Sequence, residues 1–310
     1  MTKLKALKQK KTKRNKARKR IKYKNGPFKL FGINCAGIKS KMKTFNEVLK
    51  KVQPKVWTMQ ETKLKSNETM SCEALSSYQI YSRNRQESQG GGIAIGVDKD
   101  LKSTLIKEGE METEAISVKI FLKDLEIRVI TGYGPQENAL KIQKERFWEF
   151  LEDEINQAEL EGDGAIVQID GNLHAGRKLI KGDPNNQNQN GKIFCEFLER
   201  NPQLIVVNAL DACEGIITRK REVENKTEEA VLDFVIINEK IQPFLRKMKI
   251  DEDREITLIN LAQIKKNKRL IETDHNAIVI EMDFEMAKIK PQREELFNLK
   301  NKASQEAFFC

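Results

Sequence analysis

The sequence predicts an α/β protein in which two mixed β-sheets pack face to face with helices outside, a four-layer α+β sandwich. Short apolar runs separated by turn residues begin near residue 27, and they outnumber the amphipathic helical segments. Hairpin-like neighbours alternate with segments long enough for a helical crossover, which requires both parallel and antiparallel strands. With 310 residues, 39% of them apolar, the chain is large enough to bury such a core.

Apolar spacing and the residues that end each run define the individual elements. Helical spacing extends over 41–52, 139–160 and 192–200, and a proline and a glycine end the first two helices. Strands are predicted at 28–33, 56–59, 78–81, 92–97, 116–121, 125–131, 165–169, 204–208, 215–219, 232–237 and 277–282. We expect the third to sixth strands to form one antiparallel series, with a hairpin turn at 123–124.

The positive charge of the chain is concentrated at its N-terminus. The net charge is +10, yet residues 1–24 contain 13 Lys and Arg and no acidic residue, which leaves the rest at −3. Such a run repels itself, so we predict a disordered basic tail over 1–26, one folded domain over 27–286 and a linker or truncated continuation over 287–310. A nuclear-localisation signal, a phosphate-binding arm and a solubilising tail are all compatible with this tail. The predicted location is nuclear, otherwise cytoplasmic.

Several classes of protein are excluded by composition. No apolar run approaches the roughly 18 residues of a membrane span, so no membrane association is expected. The five cysteines never form a CxxC pair, which argues against a zinc site or a disulfide framework. Only two histidines are present, His174 and His275, so any metal ion must be held mainly by oxygen ligands.

Acidic, amide and aromatic residues occur near the ends of the predicted strands, where loops converge at one mouth of a sheet. They are Asn34, Glu61, Tyr133, Asp170, Asn172, Asp233, Asp274 and His275. Each alone is typical of a turn or packing residue. His174 is interpreted as a surface residue, and Lys63 as an ion-pair partner or a solvated side chain. Together the strand-end residues supply a metal ligand, a base, a histidine and amides.

This ordered series resembles the endonuclease/exonuclease/phosphatase superfamily, which includes exonuclease III, the apurinic-site endonucleases and deoxyribonuclease I. The matching motifs are INCAG at 33–37, QETK at 60–63, TGYGP at 131–135, IDGN at 169–172, LDFVI at 232–236 and TDH at 273–275. The resemblance extends from about residue 28 to residue 282 and implies a deoxyribonuclease I-like fold. The chain is similar in particular to the endonuclease domain of LINE-type (non-LTR) retrotransposons. Three further segments support that likeness: GDPN at 182–185, NGK at 190–192 and FNLKNK at 297–302.

The resemblance implies a Mg²⁺-dependent DNA endonuclease, with Mn²⁺ as the alternative ion, that nicks one strand and leaves a 3′-hydroxyl. Glu61 is implied as the main metal ligand and Asn34 as its support, while Asp274 is expected near the ion or its waters. Magnesium usually takes only one or two protein carboxylates, which suits this set.

The resemblance also implies roles for the groups that handle the phosphate. Asp170 is expected to orient or deprotonate the attacking water, and Asn172 and Tyr133 to contact the phosphate. His275 is expected to donate to a non-bridging oxygen, while Asp233 fixes its tautomer.

DNA is the expected partner, together with a reverse transcriptase and RNA if the chain derives from a retrotransposon polyprotein. Two basic clusters are candidates for phosphate contacts: Arg219, Lys220 and Arg221 in a predicted hairpin, and the segment 265–269. Solvated basic loops are the alternative interpretation of both clusters, and the oligomeric state stays open.

Three other functions are weighed: an apurinic-site or exonuclease III-like repair nuclease, a phosphatase, and a non-catalytic nucleic-acid-binding relative. Ala36 stands where the apurinic-site enzymes have an acidic residue, and Gln136 where they have Asn, which disfavours the repair function. Ala230 replaces a serine found in many relatives without removing a catalytic group. The full set of strand-end residues argues against a catalytically inactive relative.

Overall fold

The computed structural model describes residues 27–85, 90–183, 186–223, 226–256 and 273–284. The predicted tail over 1–26, the basic segment 265–269 as a whole and the predicted continuation 287–310 lie outside these residues. Within the described part of the chain, no helix is long and apolar enough to cross a membrane.

The described residues form fifteen strands and three α-helices. The strands are β1 (Phe28–Asn34), β2 (Val56–Gln60), β3 (Tyr78–Arg83), β4 (Ile93–Asp98), β5 (Lys102–Glu108), β6 (Glu114–Phe121), β7 (Glu126–Tyr133), β8 (Gly164–Asp170), β9 (Leu204–Val206), β10 (Cys213–Glu214), β11 (Arg219–Val223), β12 (Lys226–Ala230), β13 (Asp233–Asn238), β14 (Leu245–Ile250) and β15 (Ile278–Met282). The helices are α1 (Met42–Val52), α2 (Lys141–Glu161) and α3 (Gln189–Arg200).

Two large mixed sheets and one separate hairpin account for all of these strands. The seven-stranded sheet has the order β10-β14-β15-β1-β2-β4-β3, and the six-stranded sheet has the order β5-β6-β7-β8-β13-β9. The parallel pairs β1–β2 and β7–β8 are connected through α1 and α2, as crossover connections require. Strands β11 and β12 form the hairpin. The prediction of two mixed sheets with helices is confirmed.

The apolar residues divide into layers because strand side chains alternate between faces. Leu30 of β1 packs between the two sheets, whereas its neighbour Phe31 packs toward α1. In the second sheet, Val129 faces the first sheet and Ile130 packs with the aromatic side chains of α2 and α3, including Trp148. The order of layers is therefore helix, sheet, sheet, helices.

The predicted antiparallel series of four strands is wrong as a single unit. Strands β3 and β4 pair in the first sheet, while β6 and β7 pair in the second. The hairpin turn at 123–124 is present between β6 and β7. Local spacing predicted each strand, but the choice of sheet depends on interstrand hydrogen bonds that the local pattern does not specify.

The predicted strand at 215–219 is also wrong, since the strand begins only at Arg219. Gly215 has a left-handed backbone (φ 90°). The amides of Ile216 and Ile217 donate to the carboxylate of Glu252, at 2.7 and 2.6 Å, instead of to a neighbouring strand. The predicted strand at 204–208 stops at Val206 and continues as a 3-10 turn.

Strands β5 and β14 were not predicted. Strand β5 lies at the edge of its sheet and is largely exposed. Strand β14 contains two lysines and one arginine among its six residues. Edge strands and lysine-rich strands lack the clean apolar alternation on which the sequence prediction depended.

A buried polar layer joins the two sheets directly below their common edge. Gln60 of β2 donates to the hydroxyl of Thr131 of β7 at 2.7 Å. Thr58 donates to the side chain of Gln168 on β8 at 3.0 Å. Gly32 of β1 makes room for this layer, since a Cβ there would lie 1.7 Å from the Gln168 amide. These bonds fix the two sheets relative to each other where the candidate site is built.

Candidate active site

The polar strand ends meet at one edge of the sandwich. Asn34 is the last residue of β1 and lies in register with the last residue of β2, directly before Glu61. In the second sheet, the registers of β7, β8 and β13 place Tyr133, Asp170 and Asp233 side by side. Residues from five elements thus converge, as the sequence predicted.

His275 lies between two aspartates at this edge. Its Nδ1 is 2.8 Å from Oδ2 of Asp233, and its Nε2 is 3.8 Å from Oδ2 of Asp170. Burial lowers the pKa of His275, but the carboxylates of Asp233 and Asp170 outweigh it and raise the pKa to about 9. The imidazole is therefore protonated at neutral pH and presents an N–H toward Asp170.

The pKa of Asp170 is also raised, which for a carboxyl group favours the neutral form. Burial raises the pKa of its carboxyl to about 7, because the charge of His275 and the hydrogen bonds it accepts offset only part of the desolvation. Asn34 Nδ2 donates to its Oδ2 at 2.7 Å, and the Asn172 amide donates to its Oδ1 at 3.1 Å. Asp170 is therefore a carboxylate that can take up a proton near neutral pH.

Asn34 connects Asp170 to the second carboxylate of the site. Its Nδ2 also donates to Oε1 of Glu61 at 3.0 Å, and Lys63 Nζ lies 2.8 Å from Oε2. Burial favours the protonated acid, but the hydrogen bonds from Asn34 and Lys63 outweigh it and lower the pKa of Glu61. Glu61 is thus ionised, and of the two interpretations of Lys63, ion-pair partner or solvated side chain, the structure shows the ion pair.

A buried lysine holds the loop that supports Glu61. Lys41 is 2% exposed, and its ammonium donates to the carbonyls of Cys35, Ala36 and Gly37 at 2.8, 2.9 and 3.2 Å. The amide of Gly37 in turn donates to the carbonyl of Glu61 at 2.7 Å. Lys41 therefore fixes the backbone behind the ionised carboxylate.

Tyr133 and Asn172 border the two carboxylates. Burial and the charges of Glu61 and Asp170 raise the pKa of Tyr133, so its hydroxyl stays neutral and can donate. Gln136 Nε2 donates to that hydroxyl at 2.6 Å. Asn172 has a left-handed backbone (φ 47°), and its Nδ2 donates to the carbonyl of Gly134 at 2.8 Å.

A groove of about 880 Å³ opens beside Tyr133. Arg83, Arg85 and the turn containing Met111 are among the residues that line it. Arg85 is paired with Glu114 at 2.6 Å. The groove extends the site along the surface, so a polymeric substrate has space next to the reacting group.

Two places in the site offer oxygen ligands to a cation. The first is the cluster of Asp170, Asp233 and His275, whose ligand atoms lie within 4.8 Å of one another. One of its three ligands is the imidazole of His275, whereas Mg²⁺ prefers oxygen ligands. The second place is Glu61, ionised and close to Asn34, with a carboxylate that Mg²⁺ or Mn²⁺ can share. The chemistry of the donors therefore favours Glu61.

The remaining predicted residues lie around the hairpin. Asp274 is paired with Arg219, Oδ2 to Nε at 2.7 Å, so in this structure its carboxylate contacts a guanidinium. Lys220 is paired with Glu229 at 3.1 Å. Arg221 is exposed and lies opposite an acidic residue of β12. The hairpin is attached to the site through the bridge between Arg219 and His275.

Sequence reasoning missed several positioning groups. The hydroxyl of Thr273 donates to the Asn34 carbonyl at 2.6 Å and accepts from the His275 amide at 3.2 Å. The hydroxyl of Thr218 accepts from the Asp233 amide at 3.0 Å. Thr273 is part of the recognised TDH motif, which was a usable signal. No local pattern singles out Thr218 or Lys41.

His174 was interpreted as a surface residue, and its side chain is 31% exposed. Its Nδ1 nevertheless lies 3.0 Å from Oδ1 of the buried Asp183. This contact was not predicted, because it joins two positions of an irregular loop.

The fold of this chain also occurs in known proteins. No protein-family model matches the sequence, and no curated protein matches it either. Several solved structures do match this chain. The endonuclease domain of TRAS1, a telomere-specific non-LTR retrotransposon, is 15% identical, with a TM-score of 0.59 over 83% of this chain and 98% of that chain.

Two other solved structures are equally similar. An AP endonuclease from Archaeoglobus fulgidus is 17% identical, with a TM-score of 0.60 over 83% of this chain and 99% of its own. A 3′ phosphatase, NExo, from Neisseria bound to product DNA hairpin is 14% identical, with a TM-score of 0.61 over 83% and 100%. At these identities the likeness shows the fold. The chain has the fold of these structures, two mixed sheets packed face to face with helices outside, which confirms the predicted architecture.

Proposed function

We propose that this chain is a metal-dependent phosphodiesterase that cleaves DNA, an endonuclease that nicks one strand and leaves a 3′-hydroxyl. The row Asp233–His275–Asp170 carries the proposal. It places a protonated imidazole and a carboxyl that titrates near neutrality 3.8 Å apart, beside the ionised Glu61. Phosphodiester hydrolysis needs a proton acceptor for water and a donor for the phosphoryl oxygens in this proximity.

The chain's own groups divide the reaction between them. A bond forms from the water oxygen to phosphorus while the bond from phosphorus to the 3′ oxygen breaks, and the departing 3′ oxygen takes a proton from solvent to become the 3′-hydroxyl. Asp170 accepts the proton of the attacking water, and the Nε2–H of His275 donates to a non-bridging oxygen. Asp233 holds the imidazole in orientation, and the hydroxyl of Tyr133 donates to the phosphate. Glu61 would hold a Mg²⁺ or Mn²⁺ ion, which would neutralise charge on the phosphate.

DNA is favoured over a small phosphoester by three features. The groove beside Tyr133 continues the site along the surface. The residues before 25 carry 13 positive charges and no negative charge. The solved relatives include a retrotransposon endonuclease domain and an enzyme bound to a DNA hairpin. In a retrotransposon, such a nick would supply the primer for reverse transcription in the nucleus.

The proposal is tested with the purified full chain and a supercoiled plasmid, with Mg²⁺, with Mn²⁺ and with EDTA. We expect metal-dependent conversion to the nicked circle, and extension of the nick by a DNA polymerase identifies the 3′-hydroxyl. Asp170→Asn should abolish nicking, and Asp124→Asn, an exposed change at the opposite edge of the sheet, should not. Nicking that survives in Asp170→Asn would refute the proposed base.

A second substrate separates the repair function from the proposed one. Cleavage confined to an abasic duplex would replace our proposal with an apurinic-site nuclease. The absence of cleavage of either substrate, with DNA binding intact, would indicate a binding module.

A further inference from the structure

The chain has two histidines, and in both the Nδ1 atom is held by an aspartate. The second pair is His174 and Asp183, with Nδ1 3.0 Å from Oδ1. Asp183 is fully buried, and its other oxygen accepts the amide of Gly176 at 2.8 Å. Both carboxylate oxygens are thus engaged, and the imidazole is held with Nε2 as its remaining polar atom. The site described above does not use this pair.

Residues 172–183 and 186–192, here called the His174 loop, begin and end at the candidate active site. Asn190 Nδ2 donates to the carbonyl of Asn172 at 2.9 Å and to that of Pro135 at 2.8 Å. Asn188 Oδ1 accepts the amide of His174 at 3.0 Å and that of Gly191 at 2.8 Å. These bonds keep His174 in a fixed position two residues from Asn172.

The exposed charged side chains of the His174 loop are all positive. Its four basic side chains are exposed, and its single carboxylate is the buried Asp183. The basic residues are Arg177, Lys178, Lys181 and Lys192. No ion pair joins any of them to an acidic residue in the part of the chain that the structure describes.

The β11–β12 hairpin, in which the sequence predicted DNA contacts, differs in this respect. Two of its three predicted basic residues are paired, Arg219 with Asp274 and Lys220 with Glu229. The two regions are neighbours, because Gly182 of the His174 loop packs against Ile216, just before the hairpin. Among the described residues, the His174 loop with its four exposed basic side chains therefore carries more unpaired positive charge than the three predicted residues of the hairpin, of which Arg221 is exposed.

We infer that the His174 loop is a binding site for the DNA backbone beside the scissile phosphate, with His174 Nε2 donating to a phosphate oxygen. Asp183 accepts at Nδ1, so Nε2 is the ring nitrogen that is left to contact a phosphate oxygen. Two residues of chain span up to about 7 Å, which brings a phosphate next to the one at Asn172 within reach. Arg177, Lys178 and Lys181 add contacts further along the strand. The inference rests on the proposed function, since it takes DNA as the substrate.

The test measures DNA binding in the cleavage-deficient Asp170→Asn chain, so that it does not depend on catalysis. In that background, Arg177, Lys178 and Lys181 are changed together to Ala, and affinity for a short duplex is followed against salt. The plot of log affinity against log salt should become shallower by about 2 to 3, because each phosphate contact contributes about 0.9 to the slope.

A matched control removes the same charge at the opposite edge of the sandwich. Lys99, Lys123 and Lys240 are exposed and follow the far ends of β4, β6 and β13. Changing these three to Ala should leave the slope at the parent value. An equal loss of slope in both triple variants would overturn the inference, and so would an unchanged slope in the loop variant.

His174 is tested by itself in the otherwise unaltered chain. His174→Ala should raise the KM for plasmid nicking about 10-fold with kcat unchanged, as expected for the loss of one charge-assisted hydrogen bond. His174→Gln, which retains an N–H donor, should recover part of the affinity. A fall in kcat with constant KM would overturn the assignment.

The outcomes separate the two proposals. Binding that depends on the His174 loop in a chain that never cleaves DNA would keep the inference and refute the proposed function. Metal-dependent nicking with a binding slope independent of the His174 loop would do the reverse.

Discussion

The two histidine–aspartate pairs of this chain each have a contact between Nδ1 and a carboxylate oxygen, but their surroundings differ in burial and in charge. His275 is 5% exposed and has a second carboxylate, Asp170, 3.8 Å from its free nitrogen. The side chain of His174 is 31% exposed, and its loop contains four exposed basic residues. A buried imidazole between carboxylates is suited to proton transfer, whereas a half-exposed imidazole among cations is suited to binding an anion. The difference lies in the environment of the pair.

The largest expected effect is on the chemical step and tests the first pair. His275→Ala removes the donor to the phosphoryl oxygen, so kcat for nicking should fall about 10³-fold. DNA affinity of the variant should stay near the parent value, because the His174 loop is intact. Single-turnover nicking and equilibrium binding measure the two quantities. A large loss of affinity in His275→Ala would break the comparison, since it would give both pairs the same role.

The aspartates provide the second test. Asp233→Asn loses the charge that keeps His275 protonated and correctly oriented, and kcat should fall about 10²-fold. Asp183→Asn should leave kcat unchanged and weaken DNA binding a few-fold. Thermal unfolding of both variants serves as the control for folding, because both positions are buried. Equal effects on kcat would contradict the division of roles.

The pH dependence of kcat/KM is the third test. Asp170 acts as its ionised form, so activity should rise as pH increases through its pKa of about 7. His275 acts as its protonated form, so activity should fall as pH increases through its pKa of about 9. A cation at Glu61 favours ionised Asp170 and shifts the lower limb toward acid.

The resulting profile of kcat/KM against pH is bell-shaped, and kcat/KM falls tenfold for each pH unit below the lower pKa or above the higher pKa. His174→Ala should keep the shape and lower the whole curve about 10-fold. A profile flat above pH 9 would contradict the assignment of His275 as the donor, whose pKa is raised to about 9.

The smallest expected effect concerns the support of Glu61. Lys41→Met leaves the carbonyls of Cys35, Ala36 and Gly37 without their shared donor. The loop behind Glu61 should loosen, and the Mg²⁺ concentration for half-maximal nicking should rise about 10-fold, as for other groups that position a metal ligand.

Lys41→Arg retains a positive donor, so its Mg²⁺ concentration for half-maximal nicking should lie between those of Lys41→Met and the parent chain. His174→Ala should leave the Mg²⁺ dependence unaltered, since Asn34 and Lys63 hold the Glu61 carboxylate. An unchanged Mg²⁺ dependence in Lys41→Met would show that the ammonium serves the fold alone.

The sequence was informative wherever a residue's role follows from its place on a strand. Alternating apolar residues end at Asn34 and Asp170, and these ends do meet at one edge. The same logic failed for 215–219, where a distant carboxylate takes the backbone amides. It also failed for β5 and β14, because edge and lysine-rich strands lack the alternating pattern.

The sequence by itself determined the layered fold, the order of the strand-end residues and the position of the positive charge. Periodicity and composition are local properties, and local properties can be read along the chain. The tertiary structure decided which histidine is buried between carboxylates, and that Asn34 bridges Glu61 and Asp170, 136 positions beyond it. It also decided that Lys41 faces three carbonyls. Burial and hydrogen bonds between distant segments arise only when the sheets pack, and those two effects set the pKa values on which the proposed chemistry depends.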